Sequence, residues 1–236
     1  MQMKWYQSNK RFLAEERQSL GEKYPFLKID IAPMGIRINE ALVLREEAAL
    51  VNGIYRLSIP DSQRYIDYRI AILLPDNYPR DFPRMYCNDE KLPIGNIDRH
   101  IMTDGSACLG VNAEISQKWR AKPRIVFFLD EIVAPFLVWQ AYYDTHGQPP
   151  PWGQRSHYAK GIFEYYTELL HGEVDWNIKD FMELLARKND PKGHEKCPCG
   201  SGRRLRECHA ELIKHVRQQI LWKDVQKDMF TIEKGK

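Results

Sequence analysis

The chain has 236 residues, room for one large domain or a domain with an appendage. Hydrophobic residues make up 43% and aromatic residues 11%, which suffices for a real core. The formal net charge is only +3, too small to imply a nucleic-acid partner.

The start of the chain does not read as a basic segment followed by an apolar one, so no signal peptide is expected. Asn9 to Lys23 is rich in helix formers and predicts the first helix, which Tyr24-Pro25 ends. Leu27, Ile29 and Ile31 then alternate with Lys28 and Asp30, a strand signature. Leu42 and Leu44 give a weaker signal. Tyr55, Leu57 and Ile59 alternate with polar residues, as do Tyr68, Ile70, Ile72 and Leu74, and Met85 to Cys87 predicts a short last strand after Pro83. Consecutive strands with short polar turns predict an antiparallel meander, apolar on one face.

Beyond Cys108 the period becomes helical. Ile125, Phe128, Leu129, Ile132, Val133 and Phe136 recur at three and four, with Pro123 suited to the first turn and Pro135 expected to kink the helix. The apolar stretch Ile125 to Trp139 is interrupted by Asp130 and Glu131, and no membrane span is expected of it. Gln148 to Gly153 reads as a hinge or wrap-around segment. His157 to His171 predicts a helix with Gly172 as its stop, and Asp175 to Ala186 a further one. Asn189 to Gly193 is a linker, and a helix is expected from about Ala210 to Met229. The fold class is therefore α+β: an N-terminal helix, four antiparallel strands, an irregular loop with a cysteine, then helices.

Five cysteines are present: Cys87, Cys108, Cys197, Cys199 and Cys208. Three crowd a short tail with a histidine, which is metal spacing rather than a disulfide framework and fits a reducing cytoplasm. Cys87 lies inside a strand-like segment and reads as a small buried hydrophobe. Cys108 sits behind Asp104-Gly105 on the irregular loop that also carries His100. A thiolate is a strong nucleophile and a good leaving group, so it can hold an acyl group as a thioester. A histidine nearby can lower the thiol's pKa or take the proton of the incoming nucleophile. Asp98 and Asp104 are acids able to orient such an imidazole, but Asp favours turns and both read first as turn formers. No glycine-rich phosphate loop or dinucleotide fingerprint is found, so the chain is not expected to activate a carboxylate with ATP.

Residues from about Asn9 to Ala186 resemble the ubiquitin-conjugating enzymes, particularly their bacterial relatives. Tyr68 to Pro83 (YRIAILLPDNYPRDFP) resembles that family's strand and Tyr-Pro…Pro corner. Gly105-Ser106-Ala107-Cys108-Leu109 resembles its Gly-x-x-Cys-Leu active-site stretch, and Trp119 falls roughly where the family carries a tryptophan. The resemblance implies a conjugating-enzyme-like domain over residues 1–188, with Cys108 and His100 as the catalytic residues. The function implied is transfer of a protein's C-terminal acyl group, through a thioester on Cys108, to a lysine amine on a target protein. Bacterial relatives of this type occur in anti-phage operons, where the tail attached is that of a cGAS-like cyclic-oligonucleotide synthase (the CBASS systems) or of a ubiquitin-like protein. Either a separate activating enzyme loads Cys108, or Cys108 attacks an acyl or peptide bond directly. Eukaryotic members carry His-Pro-Asn before the cysteine, and the asparagine helps stabilise the oxyanion. Here the stretch is His100-Ile101-Met102 on a loop two residues shorter, and methionine donates no hydrogen bond. Loop N–H groups, Asn96 and Asn112 are the candidate substitutes. The alternatives are a non-catalytic binding module for a partner's tail and a cysteine hydrolase that removes such tails.

The tail from 189 to 236 carries Cys197-Pro-Cys-Gly-Ser-Gly-Arg-Arg-Leu-Arg-Glu-Cys208-His209, which resembles the SEC-C motif found at the C-terminus of the SecA translocation ATPase. Cys197, Cys199, Cys208 and His209 make a closed set of four ligands that suits a structural Zn2+. Gly200 and Gly202 let the backbone turn tightly around an ion. Arg203, Arg204 and Arg206 form a basic patch, a candidate docking surface.

Overall fold

Residues 3–59, 64–152, 155–170 and 176–234 are described by a computed structural model. They form a mixed α+β structure whose residues divide into two compact units, 1–109 with 119–153, and 110–118 with 154–236.

In the first unit a short helix α1 (Trp5–Ser8) precedes α2 (Lys10–Lys23). Asn9 caps α2 by accepting the Phe12 N–H at 3.1 Å, and Tyr24 is its C-cap. Four strands follow, β1 (Leu27–Ala32), β2 (Ala48–Ser58), β3 (Tyr65–Leu74) and β4 (Arg84–Cys87). They form one antiparallel sheet in the order β1-β2-β3-β4, the meander expected from the alternation.

β2 begins seven residues before the alternation at Tyr55. Its first four residues, Ala48 to Val51, are all buried. Ala48 and Leu50 share a small core with Ile38 and Leu44 of the loop between β1 and β2. Leu42 and Leu44 belong to that loop, which folds as a narrow hairpin closed by a single Arg37–Val43 bridge and makes no strand of the sheet.

Ile125 to His146 is one helical run of 22 residues. It consists of α4 (Ile125–Phe128), a π-helical stretch (Leu129–Val133) and α5 (Ala134–His146). Proline lacks the N–H that would close a regular turn, and the wider π turns fall directly before Pro135. The run is longer than the sequence stretch suggested, and by length and composition it could cross a membrane. Half of it is buried inside the protein, however, and Asp130 on it accepts from Lys23 and Tyr24, so it is not a clear membrane span. Phe128, Leu129, Val133 and Leu137 are fully buried. Each such side chain contributes roughly 1.5–3 kcal/mol of hydrophobic stabilisation. Buried Glu16 of α2 accepts from the Ile125 N–H (2.9 Å), Arg124 (3.0 Å) and the Tyr78 hydroxyl (3.0 Å).

α3 (Asn112–Ala121) was not signalled by sequence periodicity. In the second unit α6 (Tyr158–Glu168), α7 (Ile178–Leu185), α8 (Ala210–Gln219) and α9 (Trp222–Lys234) share one core. That core joins Tyr165, Tyr166 and Phe181, before residue 188, to Leu205, Ile213 and Val225 after it. The single tail helix expected over Ala210–Met229 is two helices, because Ile220 is extended (φ −120°, ψ 148°). Ile213, Val216, Ile220 and Val225 all reach the core. Gly153, His171, Gly172 and Asp175, named in the expected hinge and helix ends, lie outside the described residues.

Candidate functional site

The cysteine loop is an extension of the sheet. After β4, Ser106 bridges Tyr86 and Ala107 bridges Ile101. The Ala107 N–H donates to Met85 O (2.9 Å) and the Cys87 N–H to Gly105 O (2.8 Å). Asn39, buried in the hairpin loop, ties the segment down. Its Nδ2 donates to Cys87 O (3.1 Å) and Asp104 O (3.2 Å), and its Oδ1 accepts from Ala41 and Leu42. Gly105 (φ +77°) makes room for it, since a Cβ there would stand 2.2 Å from Asn39 Nδ2.

Cys108 follows this pinned segment and is exposed. Its N–H donates to His100 O at 2.8 Å, so the structure pairs the backbones of the two residues that the sequence placed on one loop. His100 closes a 3-10 turn, Ile97–Arg99, which Asn96 caps through its Oδ1 on the Arg99 N–H (3.2 Å). His100 itself is left-handed (φ 56°, ψ 36°), its Nε2 is buried, and its ring meets Trp139 edge to face at 5.9 Å. Asp104 acts as the turn former it resembles, accepting from Ser106 N (2.9 Å) and Oγ (2.6 Å). Asp98 sits exposed in the 3-10 turn. The amide of Asn112 donates to Asp228 at 2.9 Å, which commits one of the candidate oxyanion donors elsewhere. Cys87 is fully buried, and burial pushes its thiol up to about 12, so it stays protonated.

Sequence reasoning missed the residues behind this turn. Arg99 is buried, with its guanidinium on Gln140 Oε1 (2.8 Å) and Asp144 Oδ1 (2.7 Å) and over the Tyr143 ring. The available signal was Gln140 and Asp144, two polar residues four apart in an apolar helix.

The second site is local in sequence and is assembled as expected. The Cys197 N–H donates to Arg203 O and Lys196 bridges Arg204, forming a small hairpin that carries Cys197 and Cys199. Gly200 and Gly202 (φ +76° and +72°) make its turn. A 3-10 turn, Leu205–Glu207, then presents Cys208, with His209 at the start of α8. The four ligand atoms all lie within 4.8 Å of one another. Cys197 Sγ and Cys208 Sγ stand 3.4 and 3.3 Å from His209 Nδ1, and Cys199 Sγ stands 3.5 Å from Cys208 Sγ. Tetrahedral zinc with ordinary bond lengths needs edges of about 3.6–3.8 Å, so the donor set fits Zn2+ in kind and spacing. Burial pushes the Cys197 thiol up to about 12. At Cys199 burial acts the same way, but hydrogen bonds with Ser201, Cys197 and Cys208 together outweigh it and bring the thiol down to about 6. Trp176, also unforeseen, packs its ring 4.7 Å from that of His209, and the Asn177 N–H donates to Pro198 O (2.9 Å), joining the start of α7 to the hairpin.

Residues 195–211 match the SEC-C motif, in agreement with the cluster. Neither a curated protein nor a solved structure matches the chain.

Proposed function

We propose that the chain is a cysteine acyltransferase of the ubiquitin-conjugating kind, with Cys108 as the acyl carrier. The observation that carries this reading is the state of the five thiols. Cys87 is sealed in the sheet, three others form the metal set, and Cys108 alone is exposed, on a segment pinned by Asn39 and paired with His100.

The Cys108 thiolate attacks the C-terminal carbonyl of a protein tail already activated as a thioester on a separate enzyme. The carrier thiolate leaves, and the acyl group now sits on Cys108. A lysine amine then attacks that thioester, an amide forms, and the Cys108 sulfur leaves as thiolate. The proton shed by the amine passes to a base, and His100 is assigned that role. Loop N–H groups take the place of the missing asparagine in holding the oxyanion. The modifier is a protein C-terminal tail, with that of a cGAS-like synthase as the candidate, and the setting is cytoplasmic anti-phage defence. A Zn2+ held by Cys197, Cys199, Cys208 and His209 supplies folding free energy to the tail rather than chemistry, because four protein ligands leave no open position. Exposed Arg203, Arg204 and Arg206 then serve as a docking surface.

Intact-mass analysis of the protein co-expressed with an activating enzyme and a modifier tests this. An adduct on Cys108 that reducing agent removes, followed by a thiol-stable conjugate on lysine, supports the transferase. A reducible adduct that yields only free acid is the result of a hydrolase. No adduct at all leaves a binding module.

A further inference from the structure

We infer that Gln140, with Arg99, is a positioning residue for the His100–Cys108 pair, acting through the backbone of the His100 turn. The inference deepens the proposed function and takes its chemical meaning from it. Gln140 is fully buried and grips Arg99 at both ends. Its Oε1 accepts from the Arg99 guanidinium at 2.8 Å, and its Nε2 donates to the Arg99 backbone carbonyl at 2.9 Å. Asp144, one turn further on, holds the guanidinium at 2.7 Å, and the Tyr143 ring covers it at 5.1 Å.

The very next residue is His100, whose left-handed backbone is costly for a residue with a side chain. Such a conformation persists only where the surroundings over-determine it. Here three contacts do so: the Gln140 latch on the preceding carbonyl, the His100 N–H on Ile97 O (2.8 Å), and the Trp139 edge against the ring. Trp139, Gln140, Tyr143 and Asp144 lie on one face of α5, so a single rigid helix sets the turn. The carbonyl of His100 itself, one residue beyond the latched one, receives the Cys108 N–H. Burying a guanidinium costs desolvation that an apolar pair of the same shape avoids, so what the cluster contributes is a defined geometry rather than net stability.

Gln140→Glu is the informative substitution. It keeps an acceptor for the guanidinium, replaces the donor to the Arg99 carbonyl by a carboxylate oxygen, and adds a negative charge beside the guanidinium. Gln140→Leu removes both bonds without adding a charge, so an effect common to the two variants belongs to the lost latch. Amide hydrogen exchange on the full-length, zinc-loaded protein reads the result, with Gln140→Leu as a second variant and Cys108 alkylation by iodoacetamide measured alongside across pH. The expected outcome is a rise of about tenfold or more in exchange at the Cys108 amide, with Ile70 and Ile72 of β3 unchanged. The alkylation pH profile should move toward that of His100→Ala. Unchanged exchange at Cys108 in both variants overturns the inference, and so does a uniform rise across the sheet, which would make the cluster a general stabiliser. Failure of the acyltransferase reading shows separately, as full conjugation by Cys108→Ala, and leaves the exchange result intact.

Discussion

At the scale of single residues, the two cysteines outside the metal set, Cys87 and Cys108, make opposite demands. Cys108→Ala should abolish conjugation and leave fold and partner binding intact, whereas Cys87→Ala should keep its activity. Equal conjugate yield from Cys108→Ala and wild type in a gel assay would refute the assignment. His100→Ala should slow thioester discharge by roughly a hundred- to ten-thousand-fold, the range for loss of a general acid or base. His100→Asn keeps a donor and loses the titrating base. It should be as slow as the alanine variant if the role is proton transfer, and partly recovered if the role is donation to an oxyanion. Single-turnover rates of both variants against pH distinguish these. Gly105→Ala puts a methyl group on a left-handed residue and against Asn39 Nδ2. It should destabilise by at least about 1 kcal/mol and loosen the Cys108 segment, as urea titration with alkylation of Cys108 would report.

At the scale of elements, a carboxylate far along the chain ends a helix. Asp228 of α9 is fully buried and accepts from the N–H groups of Asn112 (2.9 Å) and Ala113 (3.1 Å), the first turn of α3, and from the Tyr166 hydroxyl (2.9 Å). A negative charge at a helix N-terminus is favourable. Burial nevertheless dominates and raises the Asp228 carboxyl to about 6, against the pull of its four donors. The folded pKa therefore exceeds the unfolded one. Between about pH 4 and 6 the folded state holds a proton that the unfolded state has lost. The stabilisation is full below about pH 4 and is lost as pH rises through 6. Its size is at most about 3 kcal/mol. Urea unfolding of wild type should therefore fall in stability from pH 4 to 7 more steeply than that of Asp228→Asn. Parallel profiles would exclude this linkage. The metal hairpin makes a second demand at this scale. Protein purified under reducing conditions should carry one zinc per chain, and Cys208→Ser should lose it, by elemental analysis.

At the scale of the whole molecule, two compact units have separate internal packing. The second builds one core from α6 to α9 together with Cys197 and Leu205 of the metal hairpin. Removing zinc with a chelator should therefore raise hydrogen exchange through α6 and α7 as well as α8 and α9, and not in the hairpin alone. The amides of β2 and β3 should keep their protection. Equal loss of protection in the sheet would show a single cooperative unit.

What the sequence determined by itself is what neighbouring residues encode. The later half of β2 was legible because its burial alternates, β3 because large apolar side chains recur at every second position although Ala71 between them is buried too, and the metal set because its four ligands fall within one short hairpin and turn. Cys108 was legible as a thiol behind an Asp-Gly turn on an irregular loop. The tertiary structure alone decided the rest. The first half of β2 is buried on both faces, so it carries no alternation to read. The break at Ile220 falls in a stretch with no glycine or proline to announce it. The Arg99–Gln140 latch joins residues 41 apart, and the Asp228 cap of α3 spans 116. Periodicity records which side of an element faces a core. It does not record which distant side chain will meet a buried carbonyl, because that partner is supplied only when the chain has packed.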